Sequence, residues 1–414
     1  MLNDLFQKSH DHHRSLPLLG SVLDDFDDWL FGQGYRYSTR QCYMLRCTAI
    51  EEYFWRRRQR SLSVLTPEKL RECWCFYHRR RGGIAGTVRC LQRFLQSRQM
   101  LPAPMRPTAN AFDATVDAYC QYLSEVRGLA PITIEQHCST AAEFLQHCLG
   151  QDSAFRLVDL NRARIDSFVT SVGSRFGRSS MQHVVAHIRG FLRFLSTQGK
   201  APVGLDSQID TPRVYRLEQL PRALPWETVC AFLESIDRSS VSGLRDYAMF
   251  LLIAAYGLRG CDIAGLKLAD INWRAGELRV NQSKTRSPLR LPLTDPVAQA
   301  LLDYLREGRP QSAYREIFLT VAAPILPLKR QSAGYAFRFR VKRSGLDIPF
   351  RGVHSLRHSF AAHLLRQGVS LKGIGDLLGH RSTESTCVYL RLDLDELREV
   401  ALPLPALATE EQPS

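Results

Sequence analysis

The chain has 414 residues, with 55 Lys and Arg against 41 Asp and Glu, a formal charge of +14 and a pI near 9.4. Its 44% hydrophobic and 9% aromatic content suits packed globular domains and excludes wholesale disorder. At roughly 100–200 residues per domain the length allows two to four, and the basic balance points to an anionic partner, nucleic acid ahead of a membrane surface.

The opening stretch MLNDLFQKSHDHHRS lacks the apolar core of a signal peptide, and His10, His12 and His13 read as a solvated tail. The first 100 residues carry 17 basic and 10 acidic side chains, so half of the net charge sits in the first quarter of the chain. Two triplets, Arg56-Arg57-Arg58 and Arg79-Arg80-Arg81, lie among Tyr53, Phe54, Trp55, Trp74, Phe76 and Tyr77. Either triplet alone reads as a solvated helix face. Two of them interleaved with aromatics are expected to form a DNA-facing surface. Cys73-Trp74-Cys75 and His78 mimic half of a zinc site, but no second Cys/His pair follows at finger spacing, so no metal is expected. The 11 cysteines form an odd, scattered set and are expected to be reduced thiols of a cytosolic protein.

An internal repeat runs through the first two hundred residues. Arg93-Phe94-Leu95, ending at Pro102, returns as Arg193-Phe194-Leu195, ending at Pro202, a shift of 100. Gly34 and Thr39 match Gly128 and Thr133 at a shift of 94. In both copies an aromatic–Leu pair (Trp29-Leu30, Tyr122-Leu123) leads to the Gly. The Thr is expected to cap a long amphipathic helix, its hydroxyl accepting a bond from a free first-turn N–H. The reading is a duplicated module of about four helices, residues 1–102 and 110–205. Pro102, Pro104 and Pro107 mark one linker. Pro202, Pro212, Pro221 and Pro225 punctuate the approach to a second, residues 206–225.

After Trp226 the texture changes. A helix is expected over Glu227–Ile236 and an apolar one over 244–257. The latter holds the longest apolar run, Tyr247–Tyr256, about half of the roughly 20 residues a membrane span needs. Gly276–Asn281 and Leu289–Leu293 read as short strands around a polar turn. Helices follow to about Ala401, then a fraying tail, 403–414. The expected fold class is mainly α, with a small β-hairpin in a domain spanning 226–402.

Four segments of that domain carry chemistry: Gly257-Leu-Arg259-Gly-Cys-Asp262, Ser283-Lys284-Thr-Arg286, His354-Ser-Leu-Arg357-His358, and Leu378-Gly-His380 with Tyr389 nine residues on. They supply guanidinium, ammonium, imidazole and phenol, the inventory for attacking a phosphodiester. Arginine forks match phosphate oxygens and stay charged at every working pH. Singly, each piece would be an ordinary surface or packing residue. Their order changes that.

Here the chain resembles the tyrosine recombinases, the phage-integrase family, from about Leu217 to Leu392 and more loosely over 110–205, the family's helical core-binding domain. The resemblance implies that Tyr389 is the nucleophile and forms a 3′-phosphotyrosyl bond. It implies that Arg259, Arg357 and His380 hold the non-bridging oxygens, that Lys284 protonates the departing 5′ oxygen, and that His354 assists proton transfer at the tyrosine. His358 is given a packing or hydrogen-bonding role. Asp262 stands where family members commonly carry Glu. No cofactor and no catalytic magnesium are expected, because exchanging one phosphoester for another conserves bond energy. The implied partner is double-stranded DNA, bound by a homotetramer, possibly with a related recombinase, and no membrane. The segment bearing Leu394, Leu397, Val400 and Ala401 is expected to dock on a neighbouring protomer. The extra N-terminal copy points to an integrase or transposase-like enzyme of a mobile element. The rivals are an Xer-like resolution recombinase, a type IB topoisomerase and a non-catalytic DNA-binding accessory protein.

Overall fold

In the computed structural model the described residues are 5–6, 10–101, 112–215, 221–282, 284, 288–350, 352–380 and 382–392. The chain divides into two compact units, Met1–Leu101 together with Gln219–Ser414, and Pro102–Glu218.

The N-terminal part of the first unit is helical: α1 (Leu23–Gly32), α2 (Tyr37–Trp55), α3 (Pro67–His78) and α4 (Gly82–Ser97). Phe26, Leu30, Met44, Phe54, Leu70, Leu91 and Phe94 form its core. Three charged groups are buried there with partners. Arg40 Nε donates to Asp27 at 2.7 Å, and the Glu51 carboxylate accepts the Leu18 and Leu19 N–H groups at 2.8 and 3.0 Å. The second unit repeats the plan with α5 (Asp113–Glu125), α6 (Pro131–Gln151), α7 (Arg162–Gly173) and α8 (Arg178–Thr197) around Tyr119, Phe144, Phe168 and Phe191.

Helix order and the left-handed glycines Gly34 (φ 80°) and Gly128 (φ 58°) match between the two helical segments. The capping expectation fails in both. α2 starts at Tyr37 behind Arg36, and α6 starts at Pro131 behind Ala130, so Thr39 and Thr133 lie inside the first turn. Pro131 explains the early start in the second segment, since its φ is already helical and it has no N–H to satisfy. The capping side chains open the third helix instead: Thr66 accepts from the Lys69 N–H, and Asn161 from that of Arg164. A second correction concerns the thiols. α5 and α6 pack together and bring Cys120 and Cys138 into a disulfide, with Cα atoms 6.2 Å apart, while the other nine cysteines take no part in a disulfide. The linkers' Pro102, Pro104 and Pro107 lie outside the described residues, as do Leu394, Leu397, Val400, Ala401 and the tail.

The C-terminal part of the first unit holds α9 (Trp226–Glu234), α10 (Val241–Tyr256), the short α11 (Gly260–Ala264), α12 (Asp295–Asp303), α13 (Ser332–Ser344), α14 (His354–Arg366), α15 (Leu371–Leu378) and the four-residue α16 (Glu384–Cys387). The apolar α10 is the central element, as its composition requires: Met249, Phe250, Leu252 and Ile253 are all buried. The expected hairpin is part of a three-stranded antiparallel sheet, β1 (Ile271–Asn272), β2 (Glu277–Asn281) and β3 (Pro288–Pro292), with Leu278 opposite Leu291 and Val280 opposite Leu289. β1 escaped the sequence reading because two residues carry no readable alternation. Buried Asp246 ties α10 to α13, accepting from Arg340 at 2.7 Å and from Arg245 at 2.7 and 2.9 Å.

One loop of this part touches the N-terminal helices. The Ile325 N–H donates to the Gln33 carbonyl at 3.2 Å. A Cβ on Gly34 would come within 2.9 Å of the Ile325 side chain, so this glycine is needed for its φ and for the approach. Among the described residues no helix is long and apolar enough to cross a membrane.

Candidate active site

α10 ends on Gly257, in the left-handed conformation (φ 62°), where a Cβ would collide with Leu378 and Phe360 at 2.6 Å. The turn delivers Arg259 to the N-cap position of α11. From there its Nη1 donates to Gln282 Oε1 at 3.1 Å and lies 3.8 Å from the Asp262 carboxylate. Asp262 therefore stays in contact with the arginine despite its shorter side chain.

α14 begins at His354, so His354, Arg357 and His358 share its first turns. Arg357 is 2% exposed. Its Nη1 donates to the Gly257 carbonyl at 2.5 Å, its Nη2 donates to the Leu378 carbonyl at 2.8 Å, and Nη2 lies 3.2 Å from His380 Nε2. α15 closes on Gly379, left-handed like Gly257, and hands the chain to His380, whose Nδ1 is 2.8 Å from Thr386 Oγ1. Tyr389 is 2% exposed and packs among Phe360, Leu365, Ile374 and Leu378. Its hydroxyl is 3.0 Å from His358 Nδ1. The His354 ring stands edge-on to that of His358, centroids 5.0 Å apart.

The electrostatics follow from this crowding. Burial lowers the pKa of Arg357 to about 10, helped by the charge of Arg259, which still leaves it cationic at neutral pH. His358 is held at about 4 by burial, then by the neighbouring His354 and Arg357. His380 is also held at about 4, by burial and then by Arg357 and Arg259. Much of the His354 ring faces solvent, yet the atoms packed about it desolvate it, and with Arg357, Arg259, Lys284 and His380 they bring it to about 4. All three imidazoles are thus neutral at pH 7. Burial raises the Tyr389 phenol, and the two arginines pull it back down.

Lys284 is exposed on the turn between β2 and β3, and its charge reaches His354 and His380. Ser283 and Arg286 lie outside the described residues. The six expected catalytic side chains thus fall on one locality, with a cleft of about 550 Å³ opening beside Arg259 and His354 toward Arg330, Tyr335 and Arg338. His358 takes the hydrogen-bonding position expected of it, against the Tyr389 hydroxyl, and the His354 ring stands edge-on behind it. Gln282 was missed altogether. Its signal lay in the strand alternation, because Leu278 and Val280 point inward and Gln282 is next on that face.

The arginine triplets belong to the N-terminal helices, at the ends of α2 and α3. Arg57 stacks over Tyr53 at 3.7 Å and lies 5.7 Å from Phe76, while Arg80 lies 4.4 Å from the same Phe76 ring. One arginine of each triplet, Arg57 and Arg80, therefore shares the Phe76 ring. Arg56 pairs with Glu52. Cys73 is buried and Cys75 exposed, so these two face different surroundings, and His78 stacks on Trp74.

Comparison with known proteins bears on this constellation. The family model described as the phage integrase family matches residues 224–396. The y4rA protein of Sinorhizobium fredii (strain NBRC 101917 / NGR234), which carries an integrase/recombinase name, is 33% identical over 387 residues, 92% of this chain and 94% of its own. The chain belongs to the phage integrase family. Among other family members, the tyrosine recombinase XerD of Listeria innocua is 30% identical over 69% of this chain and 96% of its own. The fold is that of solved phage-integrase relatives. XerH site-specific recombinase in a post-cleavage complex with its palindromic difH substrate aligns at a TM-score of 0.54 and 18% identity, covering 76% of this chain and 87% of that one. A lambda integrase dimer bound to a COC′ core site aligns at 0.52 and 21%, covering 67% and 94%.

Proposed function

We propose that this chain is a tyrosine-type site-specific DNA recombinase that cuts and rejoins duplex DNA through a covalent 3′-phosphotyrosyl intermediate. One observation carries it: a buried phenol on an imidazole, with two arginines and a second imidazole converging beside it. A scissile phosphate held by Arg259, Arg357 and His380 faces Tyr389. Its oxygen forms a bond to phosphorus as the bond to the 5′ oxygen breaks. The phenol proton passes toward His358, and Lys284 supplies one to the 5′ oxygen, which leaves poorly without it. His354 lines the same pocket and shapes the field at His358.

The depressed imidazoles suit this sequence. Burial, reinforced by the positive field of the arginines, keeps them neutral until an anion arrives. A bound phosphate offsets that field and raises their basicity at the moment a proton acceptor is needed. While His380 is neutral its Nε2 can only accept from Arg357 Nη2, and Nδ1–H faces Thr386, so a proton gained by His380 as the phosphate raises its basicity supplies the N–H that holds the non-bridging oxygen.

The DNA partner, assembly as a tetramer on it and work in the cytoplasm follow from the family and belong to this proposal. A role in a mobile element is part of the same proposal; y4rA, which carries an integrase/recombinase name, matches 92% of the chain, whereas the XerD relative matches 69%. The N-terminal module, through Arg56, Arg57, Arg58, Arg79, Arg80 and Arg81, is proposed to hold additional DNA.

The test is a nicked duplex carrying the junction mapped at the ends of the DNA segment that contains the gene. Wild type traps a protein–DNA adduct and Tyr389→Phe traps none. An adduct that survives this substitution removes the nucleophile assignment. Relaxation of supercoiled DNA by a monomer, with no exchange and no site preference, would favour the topoisomerase rival.

A further inference from the structure

We infer that Gln282 is a positioning residue that ties the turn bearing Lys284 to the phosphate-binding arginines, an inference that rests on the recombinase reading above. Gln282 is the first residue beyond β2, two before Lys284, and is 2% exposed. A buried primary amide has to place both its donor and its acceptor. Its Oε1 accepts from Arg259 Nη1 at 3.1 Å, and its Nε2 donates to the Leu378 carbonyl at 3.3 Å. The same carbonyl accepts from Arg357 Nη2 at 2.8 Å, so one side chain contacts one arginine directly and the other through a shared acceptor.

The Leu378-Gly379-His380 segment bends around it as well. A Cβ on Gly379 would sit 1.9 Å from Gln282 Oε1 and 2.4 Å from its Nε2. The amide therefore occupies the space in front of Gly379, the residue that hands the chain to His380. Leu278, Val280 and Leu291 anchor the base of the hairpin in the core, and Gln282 is the described buried residue nearest to Lys284 along the chain. With this amide seated, the turn cannot move away from Arg259 without breaking two buried hydrogen bonds. Arg259 keeps its neighbour Asp262 at 3.8 Å when Gln282 is lost. The hairpin is left without the tether, so the damage should fall on delivery of the proton to the 5′ oxygen.

That allocation separates positioning from mere structural support. A 5′-bridging phosphorothiolate, in which sulfur replaces the leaving 5′ oxygen, departs without a proton because a thiol has a pKa of about 8.5. Single-turnover cleavage is measured for the full chain on the nicked junction duplex with oxygen or sulfur at that position. The wild-type adduct, absent in Tyr389→Phe, tests the recombinase reading by itself and precedes the comparison. Gln282→Met is expected to slow cleavage of the oxygen substrate by about 10- to 100-fold, the cost of a misplaced catalytic group, and to regain most of that rate on sulfur. Lys284→Ala should show the same rescue and Arg357→Ala should not. Gln282→Glu, close in volume, retains the acceptor for Arg259 and loses the donor to Leu378, and should fall between Met and wild type. A Met variant cleaving both substrates equally slowly would overturn the inference, as would either variant matching wild type on oxygen.

Discussion

Replacing Gly379 by Ala tests how the site is held together. Two costs are separable. The residue sits at φ 62°, where an L side chain costs roughly 1–2 kcal/mol. The new methyl would also stand 1.9 Å from the Gln282 amide, which must leave. Its departure breaks the bonds to Arg259 and Leu378 and leaves buried groups unsatisfied, at about 1–3 kcal/mol. The sum is about 2–5 kcal/mol. Gly368 supplies the control, with φ 77° and no atom within 4 Å of the added carbon, so Gly368→Ala bears only the backbone cost. Urea unfolding should put Gly379→Ala below Gly368→Ala by about 1–3 kcal/mol. The adduct assay should show Gly379→Ala slowed at least tenfold and Gly368→Ala close to wild type. Equal behaviour of the two variants in both assays would refute the collision with Gln282 and the tether built on it.

Acid should unlock the same region. His354, His358 and His380 fold with pKa values near 4, below the ordinary 6.5, so their contribution to stability is complete above about pH 6.5 and is lost as pH falls toward 4. The urea midpoint should drop between pH 7 and pH 5, and His358→Phe should flatten the decline; an unchanged slope would contradict the buried neutral imidazole. Arg57→Glu combined with Arg80→Glu should weaken binding to duplex DNA and make log affinity less steep against log salt, by about 0.9 for each phosphate no longer neutralised. Titration at several salt concentrations measures both, and unchanged affinity and slope would remove the arginines around Phe76 as a DNA surface.

Much of this was legible in the chain. The alternation around the polar turn gave β2 and β3 within a residue, and the apolar run gave α10, because one-dimensional periodicity is what burial writes into sequence. The motif order picked out the side chains that the fold gathers in one place and that are proposed to react. What escaped depends on contacts between segments far apart in the chain. His358 meets Tyr389 across 31 positions, and Gln282 meets Leu378 across 96. No local pattern reports which of two neighbouring histidines turns toward a phenol. The Thr133 cap failed for a local reason: Pro131, two residues before it, starts its helix first.

Arg357 is held in an unusual way for a buried cation. Among the described residues it forms no ion pair, and its two nearest acceptors are the Gly257 and Leu378 carbonyls, at the C-terminal ends of α10 and α15. Each such end presents roughly half a negative charge, so two helix dipoles do the work a carboxylate would otherwise do. Peptide carbonyls cannot take up a proton in the working range, so this anchor does not loosen in acid. They also add no formal charge to oppose an incoming phosphate. A guanidinium has five N–H donors, and committing two of them to backbone leaves others to point at the ligand. The ends of two helices thus fix the arginine's position while its unit charge stays available to the substrate.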